Sequence, residues 1–313
     1  RYLMISCSRQ EAAPANLQGL WNDSNRPPWR GDYHSDVNLQ MNYWFVDQAN
    51  LSDCFAPLAE WIHAIRDVKK ESTKRHFGKN TRGWAMRAAN GLFGGSCYLI
   101  SKGDAAWLAQ NLWDHYAFTL DKEYLRNRAY PVMKELCEFW QDTLKELPDG
   151  PHKGKLVSPD GFSPEHGPIE DGVSFDQHLV WDLFTNFIEA SEALGEDKAV
   201  RKQVADMRSR LLGPQVGNWG QLQEWMIDRD SRKGHRHVSH MIAICPGRQI
   251  SPQRTPELAE AARVALDART AAKATGWGKM WRASLWSRLG DGERAHKILI
   301  DWMKGHLPLN MLA

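Results

Sequence analysis

The sequence has few cysteines and none of the spacings that put them to work. Cys7, Cys54, Cys97, Cys137 and Cys245 are five among 313 residues, far apart and without a CxxC pair. Neither a zinc site nor a dense disulfide framework is indicated, and buried free thiols are the default. No apolar run approaches the roughly 20 residues that a membrane helix needs. No charged-then-apolar leader follows Arg1, so a targeting signal is expected either upstream of it or not at all. Charge of one sign is missing too. Forty Lys and Arg against 38 Asp and Glu leave a formal net charge of +2, which supplies no field to gather nucleic acid or an anionic membrane surface. A sharp repeat and a low-complexity linker are also absent, which argues against a simple solenoid and for a single domain over residues 1–313.

What is present is a chain able to bury a sizeable core, with 42% hydrophobic residues and 15 tryptophans. Indole faces stack well on pyranose rings, but for most of these tryptophans a helical core is the simpler assignment. Hydrophobic periodicity is helical nearly throughout, with no convincing series of alternating strands, so the expected fold class is all-α. The spacing predicts helices over Leu39 to Arg66, Asp104 to Tyr116, Lys122 to Glu146, Phe175 to Leu194 and Asp197 to Leu212. A further group runs over Pro256 to Arg269, Trp277 to Leu289 and Gly292 to Lys304. Thr255 before Pro256 reads as an N-cap, and Asp291-Gly292 separates the last two helices. Three long polar segments, Lys69 to Arg82, Leu147 to Val173 and Gly213 to His240, are expected as loops. Loops of that length usually have work to do, and helical hairpins around a ring with loops gathered over a cavity would account for them.

Three clusters carry residues suited to chemistry. In the first, Asn16 to Asn22 is followed by Pro27 to Trp44, where Asp36, Asn38, Gln40 and Asn42 alternate with apolar residues at the expected start of a helix. One of Asp36 and Asn38 serves as an N-cap in the plainest reading. A row of four polar groups exceeds what a cap needs and suits a sugar, whose hydroxyls point in fixed directions. In the second, Val157 to Pro168, Glu165 follows Pro164, which restricts the backbone. Desolvation there would keep Glu165 protonated as a general acid, whereas nearby Glu170 and Asp171 fit solvated loop residues. The third contains Gln223-Glu224-Trp225, Asp228 and His235-Arg236-His237-Val238-Ser239-His240. Three histidines within six positions suggest a metal, but Arg236 stands between two of them and no HExxH motif appears, so no metal is assigned. Donors to sugar hydroxyls fit Arg236 and His237 better, and His240 reads as a core histidine.

Taken in this order, the segments resemble glycoside hydrolase family 95. The resemblance rests on Asn16 to Asn22, Asn38 to Trp44, Ser163-Pro164-Glu165, Gln223 to Trp225, His235 to His240, Pro246 to Pro252 and Thr275-Gly276-Trp277. It implies an (α/α)6 toroid of helical hairpins, flanked in complete proteins by β-rich domains, and an inverting exo-acting hydrolase. In such a mechanism a carboxylic acid protonates the glycosidic oxygen while a base on the other face of the sugar activates water. Glu165 matches the general acid. Asn38 matches the water-holding asparagine, which works with an aspartate of a later Asp-Gly-Asn segment. His34, Arg236 and His237 match sugar-contacting positions, and Trp84 is expected to line the pocket.

Two departures stand out. Asp36 occupies the place of the first asparagine in the family's Asn-x-Asn pair, and the chain ends at Asn310 to Ala313 before an Asp-Gly-Asn segment. The chain is therefore expected to be a catalytic-domain fragment, with a toroid incomplete at its C-terminal end and an activity that depends on the rest of the protein. A carboxylate is a better base than an amide, so Asp36 is expected either to take the proton of the attacking water or to adjust substrate choice. The leading function is release of terminal α-L-fucose from a glycan or polysaccharide. An α-L-galactosidase is the near alternative, since the two sugars differ by one hydroxyl, and a non-catalytic sugar-binding module is the alternative of another class. No cofactor is called for. The expected partner is an oligosaccharide or polysaccharide, and the resemblance suggests an extracellular or periplasmic setting.

Overall fold

The structure is a computed structural model that describes residues 1–229, 235–269, 274 and 276–306. Thr275 of the Thr-Gly-Trp motif, residues 230–234 of the third long segment and the Asn310 to Ala313 end lie outside the described residues. The chain forms two compact units, one of Arg1–Leu144 with Leu183–Arg210 and one of Lys145–Asp182 with the described part of Leu211–Ala313.

In chain order the first unit contains α1 (Tyr2–Cys7), β1 (Tyr33–His34), α2 (Asn38–Tyr43), α3 (Ala56–Ala64), α4 (Arg66–Phe77), β2 (Met86–Asn90), β3 (Ser96–Ser101), α5 (Lys102–Thr119), α6 (Lys122–Tyr124) and α7 (Tyr130–Thr143). It also takes the second half of α8 (Ser174–Leu194) and all of α9 (Lys198–Arg210). Its centre is α5, where every residue from Lys102 to Trp113 is buried. An amphipathic stripe could not hide a whole helix, so packing has to surround it. The buried face of α7 supplies Val132, Met133, Leu136, Phe139 and Trp140, and the ring of Tyr130 stacks on Phe187 of α8 at 5.4 Å. The run from α6 to α7 begins at Asp121, whose carboxylate accepts from the backbone N–H groups of Glu123 and Tyr124 at 2.9 and 3.0 Å. This satisfies donors that the first turn leaves orphaned.

The second unit begins with β4 (Lys145–Glu146), β5 (Leu156–Val157), β6 (Gly161–Ser163) and β7 (His166–Glu170), and continues with the first half of α8. After it come a 3-10 turn at Ser239–Ala243, α10 (Pro256–Ala268), α11 (Gly276–Arg288) and α12 (Gly292–His306). Its core includes Phe175, Leu179, Leu222, Met241, Ile242, Trp281 and Leu285, each buried. Gln177 of α8 is buried as well. Its amide donates to the carbonyls of Leu156 and Leu212, both at 3.1 Å, and accepts from the N–H of Ser158 at 2.8 Å, holding the strand before the β6–β7 hairpin.

Most expected helices are present within a few residues of their expected bounds, with three corrections. The stretch from Leu39 to Arg66 is not one helix but α2, a turn, a 3-10 turn at Ser52–Cys54, and α3. The segment from Lys69 to Arg82, expected as a loop, is largely α4. The buried residues of α4 are Lys69 and Thr73, one turn apart, so the face it buries is polar and leaves no apolar stripe in the sequence. Short strands are also present. They form a three-stranded antiparallel sheet ordered β1-β2-β3 and the two-stranded pairs β4-β5 and β6-β7. The caps differ too: Val37 stands at the N-cap of α2 with no side-chain cap, so neither Asp36 nor Asn38 performs that role. Thr255 does precede α10, but its hydroxyl donates to Ser251 O at 3.1 Å rather than capping the helix.

Tyr43 fastens the N-terminal segment to α2. The hydroxyl of Ser8 donates to Cys54 O at 2.8 Å, so the Tyr43 hydroxyl donates to Ser8 Oγ at 2.7 Å while accepting from the N–H of Ala15 at 2.7 Å. Tyr43→Phe would orphan that buried N–H, at a cost of about 1–3 kcal/mol. Urea denaturation of the variant should show a lower midpoint at an unchanged slope.

Candidate active site

The Pro164-Glu165 pair is the two-residue turn of the β6–β7 hairpin, in which Ser163 faces His166. Glu165 is the exposed member of this turn, at 45%, while Ser163 and Pro164 beside it are buried. The desolvation expected around Glu165 is therefore absent. Its carboxylate accepts instead from Arg236 Nη2 at 2.7 Å and lies 3.3 Å from His237 Nε2. The sequence-predicted residues Glu165, Arg236 and His237 thus stand together in one unit.

The turn is anchored from below by Glu224, which has no exposed surface. One carboxylate oxygen accepts from Ser163 Oγ. The other accepts from Arg269 Nη2 and lies 3.3 Å from His166 Nε2. Both ends of the turn that carries Glu165 are thereby attached to one carboxylate. Ser239 adds a hydrogen bond from its hydroxyl to Pro164 O at 2.5 Å. Arg269 also donates to His237 O at 2.9 Å, and the buried Arg282 donates to Arg236 O at 3.0 Å and to Arg269 O at 2.7 Å. Two buried arginines thus position the segment bearing Arg236 and His237. Burial opposes charge on Glu224, but His240, His166 and Arg269 outweigh it and hold its carboxyl far below the usual carboxylate range.

Around this turn several buried polar atoms have no hydrogen bond among the described residues: His166 Nδ1, Trp225 Nε1, His237 Nε2 and both ring nitrogens of His240. Native interiors rarely leave such atoms orphaned. The rings form a continuous wall. His166 stacks on His235 at 4.4 Å and meets Trp225 at 5.2 Å, and His237 lies 5.0 Å from both His235 and Trp277. Gly167 is required beside this wall: its φ is +83°, and a Cβ there would come within 2.2 Å of the Trp225 ring. Burial, reinforced by Arg236, pulls His237 down to about 3, and burial likewise takes His178 to about 4 and His240 well below its ordinary value. The imidazoles of His178 and His237 are neutral at physiological pH and act as polar groups of fixed direction. His240 is fully buried, as a core histidine should be.

The other unit holds His34, Asp36 and Asn38. Burial alternates along this segment: Tyr33, Ser35, Val37 and Leu39 are buried, and His34, Asp36 and Asn38 are half-buried between them. His34 Nδ1 is 3.2 Å from Asp32 Oδ1, which orients its ring. Ser35 is the buried anchor, donating toward Asp104 Oδ2 at 3.1 Å and accepting from Asn90 Nδ2 at 3.2 Å, while its carbonyl accepts from Gln40 Nε2 at 2.6 Å. Gln40 and Asn42 were read with Asp36 and Asn38 as one polar row for a sugar. Gln40 is instead spent on Ser35, and Asn42 donates to Asn16 O at 3.3 Å. Trp84 needs correction as well. It has no exposed surface, and its indole N–H donates to Glu135 Oε2 at 3.0 Å, so it leaves no face for a pocket. The aromatic surface that sequence reading missed is Trp29, 61% exposed, with His34 at 5.7 Å and the exposed Tyr98 at 6.5 Å. Tyr98 lies far from Trp29 in sequence, so no local pattern could pair them. Glu224 was visible only as part of a motif, because nothing in the spacing shows that it reaches Ser163.

Among the described residues no group of His, Cys, Asp and Glu is arranged to hold a metal ion, and no helix is long and apolar enough to cross a membrane.

The structure of a wild-type glycosidase aligns with this chain at a TM-score of 0.66 and 12% sequence identity, over 99% of this chain and 82% of that one. At that identity the likeness is one of fold, and it defines the class: an all-α chain of the (α/α)6 toroid type found in glycosidases. The chain belongs to glycosyl hydrolase family 95, whose catalytic domain matches residues 1–312. It is 32% identical to "Alpha-L-fucosidase 2" of Arabidopsis thaliana over 99% of this chain and 38% of that protein. It is 33% identical to "Probable alpha-fucosidase A" of Aspergillus niger over 96% of this chain and 40% of that protein. The chain thus spans about two-fifths of the length of these curated relatives.

Replacing Glu224 by Gln removes the buried carboxylate that pairs with Arg269 and should destabilise the fold by about 3–5 kcal/mol at neutral pH. Because the folded carboxyl titrates below its unfolded value, this contribution is present above roughly pH 4.5 and is lost only at stronger acidity. Urea melts of both proteins should therefore differ most at neutral pH and converge as acid protonates Glu224.

The histidines predict a second acid dependence. Unfolded imidazole takes up its proton near pH 6.5, whereas His178 in the fold does so only at about 4. Stability should be flat with respect to these groups above pH 6.5 and fall below it, by about 1.4 kcal/mol per pH unit for each such histidine. Denaturation midpoints between pH 7.5 and 4.5 measure this slope, and His178→Gln should reduce it.

Proposed function

We propose that the protein carrying this chain is an inverting, exo-acting glycosidase that releases terminal α-L-fucose from an oligosaccharide or polysaccharide, with residues 1–313 as part of its single catalytic domain. The observation that carries this reading is the Glu165 turn: one exposed carboxylate, rigidly anchored, beside the Arg236 cation and a wall of histidine and tryptophan rings. Such groups suit the hydroxyls and the apolar face of a sugar, and the two relatives named above are fucosidases by name.

In this proposal Glu165 is the general acid that delivers a proton to the glycosidic oxygen. Arg236 and His237 bind sugar hydroxyls. Asn38 holds the attacking water, His34 binds the sugar with its ring oriented by Asp32, and Asp36 accepts the proton that the water loses. Inversion follows from acid and base acting on opposite faces of the sugar.

Hydrolysis of para-nitrophenyl α-L-fucoside by the full-length protein, with the configuration of the first-formed sugar read by NMR, tests the scheme. Glu165→Gln should lower kcat by 100-fold or more, on the scale of general acid catalysis, about 10²–10⁴-fold, with little change in KM. Asp36→Asn should lower kcat as well, and unchanged turnover would remove Asp36 from the base role. Turnover of the α-L-galactoside alone, or binding without turnover, would overturn the fucosidase reading.

A further inference from the structure

A second concave site lies within the first unit, between α4 and the β2–β3 hairpin, with a cavity volume of about 430 Å³. Ser72, Arg75 and His76 reach it from one face of α4, Arg87 from β2 and Ser96 from the start of β3. None of the side chains lining it is acidic. Asp67 and Glu71 of the same helix are exposed and pair with Lys70 and Lys74.

The cations here are fixed but not neutralised. Arg75 Nε donates to the backbone oxygen of Glu71 at 3.2 Å, and Arg87 Nη1 donates to Tyr98 O. Each guanidinium is thus anchored to the main chain rather than to a carboxylate. Beside them Lys69 is fully buried, its ammonium donating to Asn90 Oδ1 at 2.5 Å and to Ser96 Oγ at 3.2 Å. Both acceptors are neutral, and Lys69 forms no ion pair with a carboxylate among the described residues. Burial and the nearby Arg87 together pull Lys69 down to about 8. Like charges gathered in a concave place repel one another unless an anion joins them. Two guanidinium forks, an imidazole and two hydroxyls, presented from a helix and a hairpin, match an oxyanion that accepts from several directions.

We propose that this pocket binds a sulfate- or phosphate-type oxyanion, either as a charged substituent on the glycan or as the free ion. The placement favours the glycan. Ala89 of β2, two residues from Arg87, pairs with His34 of β1, so one sheet carries both the pocket and the candidate sugar-binding histidine. The glycan-borne source rests on the glycosidase reading, whereas the oxyanion site does not.

Calorimetric titration of the full-length protein with a monosulfated fuco-oligosaccharide, its unsulfated counterpart and inorganic sulfate tests the proposal without any hydrolysis being read. Tighter binding of the sulfated oligosaccharide by about tenfold, reduced about tenfold by Arg75→Gln or Arg87→Gln, supports the glycan-borne group. Inorganic sulfate binding with the same arginine dependence, and no preference for the sulfated sugar, supports the free oxyanion. No binding of either anion, or binding that both variants keep unchanged, overturns the site. Arg75 is exposed and donates to the backbone oxygen of Glu71, so Arg75→Gln decides the matter if circular dichroism shows Arg87→Gln unfolded. Loss of the fucosidase activity assignment would leave the inorganic arm intact, which separates the two failures.

Discussion

A carboxylate with no access to water must be fully bonded or it does not stay charged, and Glu224 is bonded on every side the fold offers. Its desolvation is offset by Arg269, by the Ser163 hydroxyl and by the His166 ring. Because Ser163 and His166 flank the Pro164-Glu165 turn, meeting the demand of Glu224 also fixes where Glu165 stands. Because Arg269 also holds His237 O, the same demand extends to the residues that face Glu165. The exposed carboxylate is held in place by the buried one, and precision at the surface is set by electrostatics in the interior.

The first unit solves a similar problem with a longer chain of bonds. Lys69 donates to Asn90, Asn90 donates to Ser35, and Ser35 donates to Asp104. A buried cation and a buried anion are thus joined through two neutral side chains rather than directly. Ser35, the link in the middle, sits between His34 and Asp36, so the network fixes the backbone from which both candidate side chains project. This network adjoins the cationic pocket on α4 and β2 through Ser96, which lines the pocket and accepts from Lys69.

How far this protein is legible in its sequence differs from element to element. Helices with an apolar face, such as α8, α10 and α11, show the periodicity that burial imposes and are readable within a few residues. The break between α2 and α3 is not, because apolar residues continue through it. Helix α4 is not either, because its buried residues are Lys69 and Thr73. The short strands escape for a related reason: at two to six residues they are too short to show a clear period of two, and their pairing is decided by partners such as Ser163 and His166 or Tyr33 and Asn90. At the candidate site, Glu165, Arg236 and His237 stand out as unusual residues in unusual loops. The same rule overreached at Trp84, Gln40 and Asn42, whose side chains are spent on Glu135, Ser35 and Asn16.

The sequence by itself determined the helical class and the family, because periodicity and ordered motifs are properties of the chain as written. Only the tertiary structure decided that Glu224 anchors the turn of Glu165, that Trp84 is interior while Trp29 and Tyr98 are exposed, and that Lys69, Arg75 and Arg87 share one place. The physical reason is that hydrogen bonds and charges act through space over a few ångströms, between residues such as Ser163 and Glu224 that lie 61 positions apart. No local pattern encodes which distant group will satisfy a buried one.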